Sequence, residues 1–117
     1  MHIDEYREYC LAKKGVTEEF PFDEVVLAFK VMGKVFALTD VDFFESVNLK
    51  CDPVRALELR ETWSGIIPGY HMNKKHWNTV KMDDSVPDEL FKELIDHSYD
   101  LVVKGLTKKL RSELENL

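Results

Sequence analysis

The stretch Val25-Val26-Leu27-Ala28-Phe29-Lys30-Val31-Met32-Gly33-Lys34-Val35-Phe36-Ala37-Leu38-Thr39 decides the fold. Its first half alternates, with Val25, Leu27, Phe29 and Val31 on one face and Val26, Ala28 and Lys30 on the other, which is the period of a strand. After Met32-Gly33-Lys34 a second β-rich run follows, Val35 to Thr39. A short loop with a glycine between two such runs is a hairpin signal. Asp40-Val41-Asp42 reads as a second turn, and Phe43 to Lys50 alternates again, with Phe43, Val47 and Leu49 opposed to Ser46, Asn48 and Lys50. Three antiparallel strands in a meander follow from these patterns.

Helices flank the meander. Upstream, Ile3, Tyr6 and Cys10 recur at helical spacing within His2 to Lys14, and Gly15 sits where a helix would end. Downstream, Asp52-Pro53 opens a helix running to about Thr62, because aspartate accepts from free backbone N–H groups and proline at the first position has none to leave unpaired. Ser64-Gly65 ends it, Pro68-Gly69 breaks the chain again, and His76 to Met82 reads as a strand. Pro87, Asp88 and Glu89 give the acidic first turn of a long helix with Leu90, Phe91, Leu94, Ile95, Ser98, Leu101 and Val102 on one continuous face. Gly105 interrupts it, and Thr107 caps a last short helix. The order predicts an α+β domain in which N- and C-terminal helices pack on an antiparallel sheet built from hairpins.

The 117 residues suit a single domain and a single core. With 16 basic against 22 acidic side chains the net charge is -6, so the field of the whole molecule repels phosphate and any nucleic-acid contact has to come from a local patch. The apolar runs are far shorter than the roughly 20 residues of a membrane helix. With no basic leader before an apolar stretch and no metal or redox spacing between Cys10 and Cys51, the expectation is a cytoplasmic protein with reduced thiols. A monomer that does not engage membranes is expected.

No catalytic set assembles from the residues. There is no phosphate-binding glycine loop, no nucleophile elbow and no cysteine beside a histidine. Cys10 lies on the apolar stripe as an inert thiol, whereas Cys51 precedes a helix N-terminus, where a thiolate is favoured. His71 and His76, five apart, fit neither a helix face nor a strand face as a metal pair. Asp4, Glu5 and Glu8 share a helix flank, which reads first as a solvated face and only second as a weak site for a hard cation. His97 reads as a boundary histidine bonded to the sheet or to Glu93, with acid–base work as the alternative. No metal ligands and no cofactor are assigned.

The candidate patch is Trp63 to Met82, twenty positions without one acidic residue. Lys74, Lys75 and Lys81 are interleaved there with Tyr70, His71, Asn73, His76, Trp77 and Asn78. Cations meet phosphates, aromatics stack on bases and amides read base edges. The alternative is that Trp77 and Tyr70 are packing residues beneath a polar loop.

The block Pro68-Gly69-Tyr70-His71-Met72-Asn73-Lys74-Lys75-His76-Trp77-Asn78-Thr79-Val80 resembles the signature of the MmcQ/YjbR family. So do Leu49-Lys50-Cys51-Asp52-Pro53, Leu94 to Val102, Pro21-Phe22 and the hairpin Phe29 to Leu38. The resemblance implies a CyaY-like α+β fold with a double-wing arrangement of two β hairpins, and a DNA-binding role without an established reaction. Carried over by position, it puts Tyr70, His71, Asn73, Lys74, Lys75, His76, Trp77 and Asn78 at or near the second wing and makes Lys30 to Lys34 the first. With Lys34 from the first wing and Lys81 from the acid-free patch, these are the expected DNA contacts. Two departures stand against DNA: the chain is acidic, and Asp23, Glu24, Asp40 and Asp42 flank the first wing. The same motif in a small-anion pocket or a protein-docking surface is the alternative.

Overall fold

The computed structural model describes all 117 residues. In chain order the elements are α1 (Ile3–Leu11), β1 (Val16–Glu19), β2 (Val26–Val31), β3 (Lys34–Asp40), β4 (Ser46–Lys50), α2 (Pro53–Thr62), β5 (Ile66–Pro68), β6 (Trp77–Lys81), α3 (Asp88–Lys104) and α4 (Lys108–Glu115). The strands form one sheet in the order β1-β2-β3-β4-β6-β5, and every ladder is antiparallel. The expected α+β class and the β2–β3–β4 meander are therefore present, joined by the strand expected at His76 to Met82, now β6, and by two short strands, β1 and β5.

The β2–β3 turn is tighter than the alternation suggests. Only Met32 and Gly33 lie outside the strands, both at positive φ (50° and 83°), the geometry of a two-residue loop matched to strand twist. Lys34 belongs to β3. A register shift between Phe29 and Lys30 leaves Phe36 as an extra residue on β3, so Phe36 and Ala37 both enter the core. Phe43 does not share the inward face of β4: the strand starts at Ser46, and Phe43 sits in the preceding turn, 73% exposed.

Residues paired across an antiparallel ladder share a face. On one face Leu27, Phe29, Val31, Val47, Leu49, Val80 and Ile66 join Tyr6, Cys10, Ala56, Leu59, Phe91, Leu94, Ile95 and Leu114 in a single core. All four helices thus pack on that face. Ser98 of α3 pins it, donating to the Phe36 carbonyl at 2.6 Å and accepting the Lys50 N–H at 2.9 Å. The opposite face carries a row running Glu19, Ala28, Leu38, Asn48, Thr79 and Ile67 across all six strands, none of it part of that core. That face is open.

Candidate nucleic-acid interface

The connector between β5 and β6, residues 69–76, carries most of the residues singled out above, and its shape follows from backbone-directed side chains. Gly69 donates to the Trp77 carbonyl at 2.9 Å. A β-carbon at this position would lie 2.8 Å from the Trp77 Cβ and 2.9 Å from its carbonyl oxygen, so only glycine fits. Tyr70 N–H donates to Thr79 Oγ1 (2.9 Å), Thr79 donates to Asn48 Oδ1 (2.5 Å), and Asn48 Nδ2 donates to the Tyr70 carbonyl (3.1 Å). This closed triangle folds the start of the connector over the open face. Asn73 Oδ1 accepts the Lys75 N–H, and the Asn73 carbonyl accepts Trp77 N–H at 3.0 Å. From α2, Arg60 donates to Asn78 Oδ1 at 2.7 Å and to the carbonyls of Lys74 and Trp77.

The named residues therefore separate. Asn78 is 3% exposed and its amide is spent on Arg60 and the Ala56 carbonyl, so it reads no base. Asn73 shapes the turn. Trp77 is half-buried, lies outside the core and pairs with Lys50 on the face opposite the helices. Tyr70 is 66% exposed, with its ring centroid 4.0 Å from that of exposed His71, itself held at φ 58°. Lys74 and Lys75 are exposed, although Lys74 Nζ also donates to the Gly69 carbonyl at 2.9 Å. His76 is half-buried, its carbonyl accepting the Cys51 N–H. Lys81 stands apart: it pairs with Ser46 at the far end of β6.

Antiparallel topology brings the β2–β3 turn and the β5–β6 connector to the same end of the sheet. Their centres are three strand spacings apart, about 14 Å. This end gathers Lys34, Lys50, Lys74 and Lys75 with Arg60. Lys50 and Arg60 escaped the sequence reading; the placement of Lys50 opposite Trp77 needed the strand register. The opposite end holds Glu18, Glu19, Asp23, Glu24, Asp40, Asp42, Glu45, Asp83, Asp84, Asp88 and Glu89, half of the 22 acidic residues. Glu18 and Glu19 are paired there with Arg7 (2.5 Å) and Lys30 (2.8 Å).

Beside the connector, Pro53, Val54, Leu57, Arg60, Lys74 and Lys75 line a cleft of about 200 Å³. On the open face, Ser46, Ile67, Tyr70, Thr79, Lys81 and Met82 line much of a shallow groove of about 490 Å³.

The other candidates resolve into structure. Cys10 is buried, and burial pushes its thiol up to about 12. Cys51 is 3% exposed and pushed up to about 11 by burial, against the pull of Arg55, so the helix N-terminus does not favour a thiolate here. His97 bonds neither to the sheet nor to Glu93; its Nε2 accepts the N–H of Asp52, the cap of α2, at 3.1 Å. Asp4, Glu5 and Glu8 are exposed, and no three His, Cys, Asp or Glu side chains are arranged to hold a metal ion.

Similarity to known proteins agrees with this architecture. The YjbR family model matches residues 11–101. The chain is 36% identical to YjbR of Escherichia coli K12 over the whole of both chains, and 40% identical to YbdF of Escherichia coli O157:H7 over 77% of this chain and 75% of that one. The crystal structure of Deinococcus radiodurans protein DR2400 superposes with a TM-score of 0.89 at 46% identity, covering 97% of this chain and 87% of the other. A Pseudomonas syringae protein follows at 0.73 and 25% identity, over 86% and 98%. From its motifs, its sheet and these relatives, the chain belongs to the YjbR family.

Proposed function

We propose that this protein is a non-enzymatic DNA-binding module of the cytoplasm, whose weak, salt-sensitive contact is made by the end of the sheet where the two hairpins meet. The observation that carries the reading is the segregation of charge along the strands. It supplies a local positive surface on a chain of net charge -6. Lys34, Lys50, Lys74 and Lys75 contact phosphates, and Tyr70 and Trp77 offer faces for stacking. Asn78 and Lys81 leave the assigned set, the first by burial and the second by position. Two buried free thiols accord with a reducing compartment.

The test is fluorescence anisotropy of labelled duplex and single-stranded DNA over a salt series. Four phosphate contacts give a slope of about −3.6 in log affinity against log salt on duplex. Lys34→Glu and Lys75→Glu each reduce the slope by about 1 while the melting temperature stays put. Lys74→Glu is a poorer probe, because it also removes the bond to Gly69. Affinity no better than millimolar for both DNA forms overturns the reading.

The cleft of Val54, Leu57, Arg60, Lys74 and Lys75 favours one second reading, a small anionic ligand with an apolar body. Stabilisation by such a molecule in a thermal-shift screen, with no competition from DNA, selects it.

A further inference from the structure

We propose that the acidic end of the sheet, away from the DNA-contact end, is a docking site for a basic protein segment that carries an apolar side chain. Three connectors meet there: residues 20–25 between β1 and β2, 41–45 between β3 and β4, and 82–87 between β6 and α3. Val41 N–H donates to the Val25 carbonyl at 2.9 Å and Met82 N–H to the Glu45 carbonyl at 2.8 Å, which ties the three together. They present Phe20, Phe22 and Phe43, which are 50%, 79% and 73% exposed.

The turn that carries Phe43 and the residues that follow Phe22 are pinned by backbone-directed carboxylates. Asp23 Oδ1 accepts the N–H groups of Val25 and Val26, both at 2.8 Å, and Asp40 Oδ1 accepts those of Asp42 and Phe43. Phe44, at φ 47°, turns inward against Tyr6, with centroids 5.3 Å apart, and so leaves Phe43 facing outward. A turn whose backbone is already pinned loses little backbone freedom on binding.

The surrounding charge selects the occupant. No Lys or Arg occurs from Glu18 to Phe29, from Asp40 to Leu49, or from Met82 to Phe91. Arg7 and Lys30 at this end are spent on Glu18 and Glu19 and the N-terminal ammonium on Asp88, which leaves Lys81 against the remaining carboxylates. The net charge there therefore disfavours nucleic acid and anionic lipid. A purely apolar partner would strip water from Glu24, Asp42 and Asp84 without replacing it. A lysine- or arginine-bearing segment with an apolar residue satisfies both features.

The test uses a fluorescein-labelled lysine–leucine peptide beside a lysine–serine peptide of equal length and charge. The intact protein should prefer the first by about tenfold or more, the worth of a buried apolar side chain. Phe22→Ser with Phe43→Ser should erase that preference, leaving the melting temperature and DNA affinity unchanged. Lys34→Glu with Lys75→Glu should leave it intact, so failure here is separable from failure of the DNA reading. An equal response of the intact protein to both peptides, or a preference that survives the double phenylalanine variant, overturns the proposal. Concentration-dependent self-association that Phe22→Ser abolishes in sedimentation overturns it too, in favour of a second copy as occupant.

Discussion

His97 accepts the Asp52 N–H at Nε2, and only an unprotonated ring nitrogen does so. Burial lowers its pKa from the ordinary 6.5, and Arg55 adds to this against the opposing pull of Glu93, Asp52 and Asp100. Below pH 6.5 the unfolded chain then binds a proton that the folded chain refuses. The stability held above that pH is therefore lost as pH falls through the folded value. Melting temperature measured from pH 7 to pH 5 should fall further in the native protein than in His97→Gln, whose Oε1 accepts the same N–H without titrating. The Asp52-Pro53 signature of α2 was plain in the sequence, and Asp52 does accept the Arg55 N–H. That a histidine 45 residues away bonds the same cap was not, because contacts at such separation leave no local pattern.

At the scale of elements, the β5–β6 connector illustrates how polar side chains do structural work in a motif that reads as a binding site. Asn78 joins Arg60 of α2 to β6, and its amide reaches the Ala56 carbonyl. Asn78→Ala leaves Arg60 short of an acceptor in a half-buried setting and should cost about 1–3 kcal/mol, measured as a shift of the urea midpoint. A surface residue reading bases would show no such loss. Strands β2 to β4 were legible because alternation, a glycine turn and length agreed. β1 was not legible: Val16-Thr17-Glu18-Glu19 is short and acidic, and it becomes a strand through pairing with β2 and through the ion pairs Arg7–Glu18 and Lys30–Glu19. Phe43 misled because its alternation with Val47 and Leu49 stops at the turn that precedes Ser46.

For the whole molecule, the strands act as a spacer between charges of opposite sign. A seven-residue strand such as β3 spans about 23 Å, beyond the screening length of about 8 Å at 0.15 M salt but within the ~30 Å at 0.01 M. On the proposed DNA contact, neutralising Glu24, Asp84 and Glu89 together should therefore strengthen binding at low salt and leave it unchanged at 0.15 M, in the same anisotropy assay. A gain that persists at 0.15 M would mean that these carboxylates lie near the contact. The amino-acid sequence by itself determined the α+β class, the central hairpin, the capped helices and an acid-free block from Trp63 to Met82, because each follows from local periodicity or composition. Only the tertiary structure decided that Trp77 lies on an open face, that Asn78 is buried and that Lys81 leaves the other lysines. Those outcomes depend on strand register and on which face the helices cover, and both are set by pairing between residues far apart in the chain.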